Sequence, residues 1–408
     1  MSKNKSPRIF YGYVVVSSAS VILMVLFGVR NSFGVFFKPL VEEFRWSRAA
    51  TSAGFTLSFF AIGAMSVLMG NLADRFGPRL TAVLGGIALG AGFLLMSVIK
   101  TVWQFYLVYG LVIAGGISSA IPLMATPARW FQKGRGLMTG LAQSGVGIGN
   151  IIIPVVANWL IASYNWRVSY TVLGIASLAV ILPAAQFLKR DPAEMGLLPF
   201  GAEGSQTQSK SESGASLTVN GALGTRVFWT ISLAWFCFNL CLQTVIVHVA
   251  LYATGLGVST AEAAGIIAVI GGASIPGRLA MGAAMDRLGS KLAVSICFAL
   301  LVASLIFLLF TRSALAFYLF AGVFGFAYGG QAALQSPVIA EYFGLASLSA
   351  IYGAFSFVFY SGGIGPVIAG RIFDVTGSYY YAFLTCIALA GVGLILILLL
   401  RPSGLKES

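Results

Sequence analysis

Twelve apolar segments recur along the chain, each long enough to cross the roughly 30 Å hydrocarbon layer of a bilayer as a helix. The composition agrees, because 58% of the residues are apolar and 9% are charged, whereas soluble domains carry about 25% charged residues. The sequence therefore predicts an all-α integral membrane protein. The expected spans are 12–37, 49–70, 78–99, 103–128, 137–161, 168–187, 228–253, 261–284, 290–311, 314–340, 348–370 and 378–400.

One connection between segments is much longer than the others and is rich in Ser, Gly and Glu, a composition that does not support a packed core. It predicts a six-helix half at 1–188, a linker at 189–226 and a second six-helix half at 227–408. The first apolar segment is too long for a secretory signal peptide and lacks a small-residue cleavage site, so we expect it to remain as a helix.

The two halves carry the same motif at the same place. Residues 70–79, GNLADRFGPR, return as 282–291, GAAMDRLGSK, at an offset of 212 residues. Pro154 and Pro366 keep the same register. A common offset over several helices predicts that the halves are structural repeats.

The net charge of +13 lies in the loops, and no basic run interleaved with aromatic residues suggests nucleic acid. Most Lys and Arg residues fall on the side of the membrane that carries both termini, which predicts cytoplasmic termini in the cell membrane.

All four cysteines lie in apolar segments, where packing is favoured over a disulfide or a metal site. No cofactor is predicted.

Both copies of the repeated motif resemble the loop signature of the major facilitator superfamily, and the resemblance covers nearly the whole chain. It implies the twelve-helix major facilitator fold, with two halves that give access to alternate sides of the membrane. It also implies a gate at the cytoplasmic mouth, in which an aspartate holds a nearby arginine and a helix N-terminus. The gating candidates are Asp74, Arg75, Arg129, Asp286 and Arg287.

Two further stretches resemble the monocarboxylate porters within that superfamily: WFQKGRGLMTGLAQSG at 130–145 and GPVIAGRIFDVTGSY at 365–379. The segment RDPAEMGL at 190–197 is similar to one in bacterial carboxylate porters, including oxalate-formate exchangers. The resemblance implies transport of lactate, pyruvate or related acids, usually with a proton. A lysine and an aspartate linked to proton coupling in animal members are replaced by Asn31 and Ser274, which indicates a different route for the proton.

Arg30 and Arg278 are the charged residues that lie deep inside predicted spans, and no acidic residue does. Two buried cations without a buried anion predict an anion site. Arg278 shares a helical face with Ser274, and its planar fork suits a carboxylate; a structural arginine bound to backbone carbonyls is the alternative. Arg30 either contacts the substrate, attracts anions, or extends to the surface to pair with Glu42 or Glu43.

The rest of a small pocket is predicted from polar and aromatic residues at helical spacing, although helix-packing hydrogen bonds are an alternative for each. With one central arginine, the pocket favours a monoanion such as lactate or pyruvate over oxalate, while the presence of Arg30 leaves a dicarboxylate open as the alternative. The substrate-binding candidates beside Arg278 are Asn31, Gln143, Ser274, Tyr328, Gln331, Tyr352 and Phe359.

His248 is the single histidine, and histidine is the side chain that titrates near neutral pH. It is the candidate for proton coupling together with Arg278. A packing histidine is an equal alternative, in which case the carboxylate of the substrate accepts the proton.

The sequence therefore predicts a secondary transporter of small monocarboxylates, most simply a proton symporter. The alternatives are a carboxylate exchanger, or a transporter of another small organic solute such as a sugar or a drug. A ligand-binding sensor that retains the fold is a further alternative. An enzyme is not expected, because no convergent set of His, Cys, Asp or Glu residues supports catalysis.

Overall fold

The computed structural model describes residues 10–202 and 217–400. Within them, twelve helices are long and apolar enough to span a membrane, which confirms the predicted number. The helices are α1 (Tyr11–Phe44), α2 (Ala50–Phe76), α3 (Pro78–Met96), α4 (Val102–Trp130), α5 (Arg135–Ser163), α6 (Trp166–Gln186), α7 (Arg226–Gly255), α8 (Ala261–Leu288), α9 (Ser290–Phe310), α10 (Ala314–Phe343), α11 (Leu348–Thr376) and α12 (Tyr380–Leu399).

Helices α1 and α11 extend beyond their predicted ends and are interrupted inside the span. α1 continues past residue 37 and contains a turn at Ser32, whose hydroxyl donates to the carbonyl of Val29 at 2.6 Å. α11 continues past residue 370 and tightens into a 3-10 turn at Gly362–Ile364. At both places the regular ladder of helical hydrogen bonds is broken inside the span.

Helices α2 and α8 end in the same way at equivalent positions of the two repeats. α2 stops at Gly77, with φ 86°, and α8 stops at Gly289, with φ 87°. Each glycine N–H donates to the carbonyl four residues earlier, on Ala73 and Met285 respectively. Because glycine adopts a positive φ without a steric penalty, both copies of the motif need it for the sharp turn into the next helix.

The face of the bundle that carries Tyr11, the linker and Leu399 is called the linker side, and the opposite face is the far side. Helix pairs α2–α11 and α5–α8 join the two halves. On the linker side their backbones nearly touch: a Cβ at Gly70 would lie 2.2 Å from the carbonyl oxygen of Ser349. Small residues permit this approach. The structure is therefore closed on the linker side.

The first part of the linker is held by aromatic contacts, contrary to the expectation from its composition. The Phe200 N–H donates to the carbonyl of Trp130 at 2.9 Å, and the Phe200 ring lies 5.8 Å from that of Phe131. Because Phe200 keeps 40% of its surface exposed, its backbone hydrogen bonds and its ring contacts hold this segment together, and an average over the linker composition does not reveal them. A short helix, Val219–Leu223, precedes α7, and residues 203–216 of the predicted linker lie outside the described residues.

Candidate functional site

Arg278 lies in α8 at the interface between the halves, with 1% of its surface exposed. Its Nη1 donates to Ser274 Oγ at 2.5 Å, and its Cζ lies 5.2 Å from the ring centroid of Tyr328 in α10. A Cβ at Gly147 of α5 would lie 3.6 Å from the same Nη1, so the guanidinium reaches the N-terminal half. Its Nε has no hydrogen-bond partner. The structure thus brings together three predicted site residues and leaves a donor free.

Arg30 is buried as well, with 5% of its surface exposed, so the prediction that it extends to the surface is wrong. Its Cζ lies 4.3 Å from the ring centroid of Phe59 in α2 and 6.0 Å from that of Tyr360 in α11. The Nε and Nη2 atoms have no hydrogen-bond partner. A second cation therefore faces the interface between the halves.

The acidic partners suggested for Arg30 are bound elsewhere. Glu43 forms an ion pair with Arg167 and accepts a hydrogen bond from Trp166 Nε1 at 2.5 Å, while Glu42 lies 3.7 Å from Lys38. Side chains on a helix lean toward its N-terminus, which for α1 lies on the linker side. The Arg30 side chain therefore leans away from the two glutamates, and the sequence separation alone did not reveal this direction.

Two buried glutamines predicted for the pocket keep unpaired polar atoms. Gln143 of α5 is 1% exposed and its Nε2 has no partner; Gln331 of α10 is also 1% exposed, and neither of its amide atoms has one. Buried polar groups are normally hydrogen-bonded, so unpaired amides beside the interface are free to bind a polar ligand.

The remaining predicted pocket residues are bound to protein groups. The Tyr352 hydroxyl donates to Gln335 Oε1 at 2.9 Å, and the Phe359 carbonyl accepts from Asn239 Nδ2 at 2.7 Å. Asn31 is exposed, and its Nδ2 donates to Asn150 Oδ1 at 2.8 Å, linking α1 to α5. The side chains of Tyr352 and Asn31 are thus engaged in helix-packing contacts in this conformation, whereas at Phe359 the backbone carbonyl is bound and not the ring.

His248 lies in α7 against α11 and the loop before α12. Its Nε2 lies 3.0 Å from the Pro366 carbonyl oxygen and its Nδ1 lies 3.2 Å from the Tyr379 hydroxyl. Because a carbonyl oxygen only accepts, Nε2 carries a proton and donates to Pro366. Both ring nitrogens are therefore engaged within the C-terminal half.

Two aspartates close the linker side by binding the start of a helix in the other half. Asp74 accepts from the backbone N–H of Ala350 in α11 at 2.8 Å. Asp286 accepts from the backbone N–H groups of Gly136 and Leu137 in α5 at 2.8 and 2.9 Å. A carboxylate is stabilised at a helix N-terminus by unpaired N–H groups and the helix dipole. The two caps are related by the offset of the sequence repeat.

Of the three arginines predicted for the gate, one contacts an aspartate cap. Arg129 Nη2 donates to Asp74 Oδ1 at 2.7 Å, and both side chains are largely buried. Arg75 is exposed and lies over the ring of Phe76, and Arg287 is exposed. Sequence reasoning anticipated an aspartate bound to an arginine and a helix N-terminus, but it did not say which helix starts in α11 and α5 would supply the N–H groups.

The family model described as Major Facilitator Superfamily matches residues 19–364, which is most of the chain. The chain belongs to the major facilitator superfamily. It is accordingly a membrane-embedded transporter and not an enzyme. In the described residues of this major facilitator protein, no group of three or more His, Cys, Asp or Glu side chains is placed to hold a metal ion.

Three transporters are similar to this major facilitator protein, two of them in sequence and one in fold. It is 27% identical to "Monocarboxylate transporter 13" of Rattus norvegicus over 95% of this chain and 89% of that one. It is 28% identical to the "Oxalate:formate antiporter" of Oxalobacter formigenes over 86% and 83% of the two chains. The proton:xylose symporter XylE has the same fold, with a TM-score of 0.76, 13% identity and 97% and 96% coverage.

Proposed function

We propose that the protein is a secondary transporter of small monocarboxylates, such as L-lactate or pyruvate, that works as a proton symporter. The observation that carries the proposal is the buried Arg278 guanidinium, which forms no ion pair in the described part of the chain. A buried cation without an anion is costly, and a carboxylate that binds the planar fork removes that cost. Gln143 and Gln331 supply further polar contacts for the substrate.

The two halves are proposed to rock around this site, with both termini and the linker side in the cytoplasm. The aspartate caps stabilise the conformation that is closed on the linker side, so substrate enters it from the far side. Opening of the linker side requires Asp74 and Asp286 to leave the helix starts in α11 and α5. After the substrate has left to the cytoplasm, the empty site can bind the next substrate molecule.

Uptake of labelled L-lactate into proteoliposomes tests the proposal. With purified protein and an inward proton gradient, we expect lactate to accumulate and the accumulation to vanish when the gradient is collapsed. Uptake that ignores the gradient and requires a carboxylate inside the vesicle would instead establish the exchanger, the second candidate favoured by similarity to the oxalate:formate antiporter. No uptake of any small carboxylate under either condition would contradict the proposal.

His248 is proposed to carry the coupled proton. A protonated ring donates from both nitrogens, so the Tyr379 hydroxyl must then accept where it donated before, and protonation changes the contact between α7 and the α11–α12 loop. Because glutamine cannot carry the proton, we expect His248→Gln to flatten the dependence of lactate uptake on pH, measured from pH 5 to about pH 8. Uptake measured at fixed membrane potential over that range checks it; a profile equal to that of the parent protein would assign the proton to the substrate.

A further inference from the structure

The two buried arginines approach the same level of the membrane from opposite directions. Arg30 lies about 28 Å along α1 from the linker side, and Arg278 lies about 15 Å from the linker-side end of α8. Because side chains lean toward the N-terminus of their helix, Arg30 leans toward the linker side and Arg278 toward the far side. The two guanidinium groups therefore converge.

Each of the two buried arginines lies beside a tyrosine of the C-terminal half. The Arg30 Cζ lies 6.0 Å from the Tyr360 ring, and the Arg278 Cζ lies 5.2 Å from the Tyr328 ring. Tyr360 lies in α11 and Tyr328 lies in α10, so both rings belong to the C-terminal half. Each guanidinium is thus packed against a tyrosine ring of the C-terminal half.

The free atoms of Arg30 form a specific binding edge. Nε and Nη2, the two atoms without a hydrogen-bond partner, lie on the same edge of the guanidinium plane. This edge donates two parallel hydrogen bonds to the two oxygens of one carboxylate. Phe59 packs against the group at 4.3 Å, which fixes the plane without using its donors. The side chain is therefore preorganised for an anion.

A single carboxylate leaves one of the two guanidinium groups unsatisfied. Neither arginine forms an ion pair in residues 10–202 and 217–400. If Arg278 holds the carboxylate, as the proposed function requires, Arg30 remains a buried cation with a free bidentate edge. A second carboxylate on the same substrate satisfies both charges at once.

From this arrangement we infer that Arg30 is a second carboxylate-binding residue, which extends the substrate class of the proposed carboxylate site to short dicarboxylates. Arg278 binds one carboxylate and Arg30 binds the other, while the tyrosine hydroxyls contact polar groups between them. The inference rests on the proposed function, since it takes Arg278 as the first carboxylate-binding residue.

L-Malate and L-lactate form a matched pair of probes, because malate is lactate with a second carboxylate on its methyl carbon. Binding to the purified full-length protein is measured by calorimetry at pH 7 and constant ionic strength. We expect malate to bind about tenfold or more tightly than lactate, since a bidentate charge-assisted contact is added. In Arg30→Gln this advantage should disappear, whereas lactate affinity stays within about twofold.

Arg371→Gln is the matched control, because it removes the same charge from an exposed arginine in α11 and should leave both affinities unchanged. Arg30→Lys keeps the charge but loses the bidentate edge, so it should lower the affinity for malate and leave the affinity for lactate unchanged. The same variant tests the inference if Arg30→Gln does not fold. Lactate binding without malate binding overturns the inference and leaves the proposed function standing. Equal malate affinity in Arg30→Gln also overturns it, and binding of neither acid overturns both.

Discussion

Replacement of Arg278 by lysine is expected to reduce carboxylate uptake about 100-fold or more, even though the charge is kept. Lysine offers a point charge on a flexible stem, so it cannot hold both oxygens of a carboxylate while bonding to Ser274. Two charge-assisted hydrogen bonds at about 1.5–3 kcal/mol each account for an effect of this size. Initial rates of lactate uptake in proteoliposomes, normalised to the amount of reconstituted protein, measure it.

Arg371→Lys is the control for this substitution, because the same chemical change is made at an exposed position of α11. Its uptake should equal that of the parent protein. Ligand-induced thermal stabilisation separates the role of Arg278 in binding from a role in folding: the lysine variant should be folded yet no longer stabilised by lactate. Uptake near the parent rate in Arg278→Lys would remove Arg278 from the substrate site.

Addition of a single methyl group at Gly282 is expected to open the linker side. A Cβ at Gly282 would lie 2.4 Å from the carbonyl oxygen of Gly136. This oxygen belongs to the backbone, so it cannot rotate away as a flexible side chain could. Overpacking of this kind costs about 1–3 kcal/mol, which shifts a two-state equilibrium roughly 5- to 150-fold. Gly282→Ala should therefore lower transport, because the cycle passes through the closed conformation.

Distance measurements report this shift directly. Spin labels at Phe76 and Leu288, exposed residues at the equivalent ends of α2 and α8, should be farther apart in Gly282→Ala than in the parent. Gly272→Ala is the matched control, since a Cβ at Gly272 on the same helix meets no atom within 4 Å. Identical distance distributions in Gly282→Ala and in the control would refute the steric account of closure.

The number of helices was predictable because the length of an apolar segment and the thickness of a bilayer are simple quantities. The repeat was predictable because Gly77 and Gly289 occupy a backbone conformation that other residues adopt only at a steric cost. The interruption of α1 at Ser32 was not, since a hydroxyl that bonds to its own helix leaves the apolar pattern unchanged. Order in the linker at Phe200 depends on tertiary contacts with residues 130–133, which composition does not encode.

The candidate site was predictable where its residues share one helix. Arg278 and Ser274 are separated by one helical turn, so their contact follows from the spacing alone. Arg30 lies beside Phe59 of α2 and Tyr360 of α11. The sequence of α1 contains no pattern that predicts either contact. The free edge of this guanidinium depends on how helices from both halves pack around it, which the sequence of one helix does not encode.

The aspartate caps have a consequence for how the protein tolerates sequence change. Asp74 and Asp286 bind main-chain N–H groups, so half of each interaction is supplied by atoms that nearly every residue type possesses. Random drift at Ala350 or Leu137 leaves these donors intact unless proline is introduced, whereas drift at either aspartate removes the acceptor. Only the aspartate in each contact therefore depends on the type of side chain. The residues that supply the N–H groups can change while the contacts that close the linker side are kept.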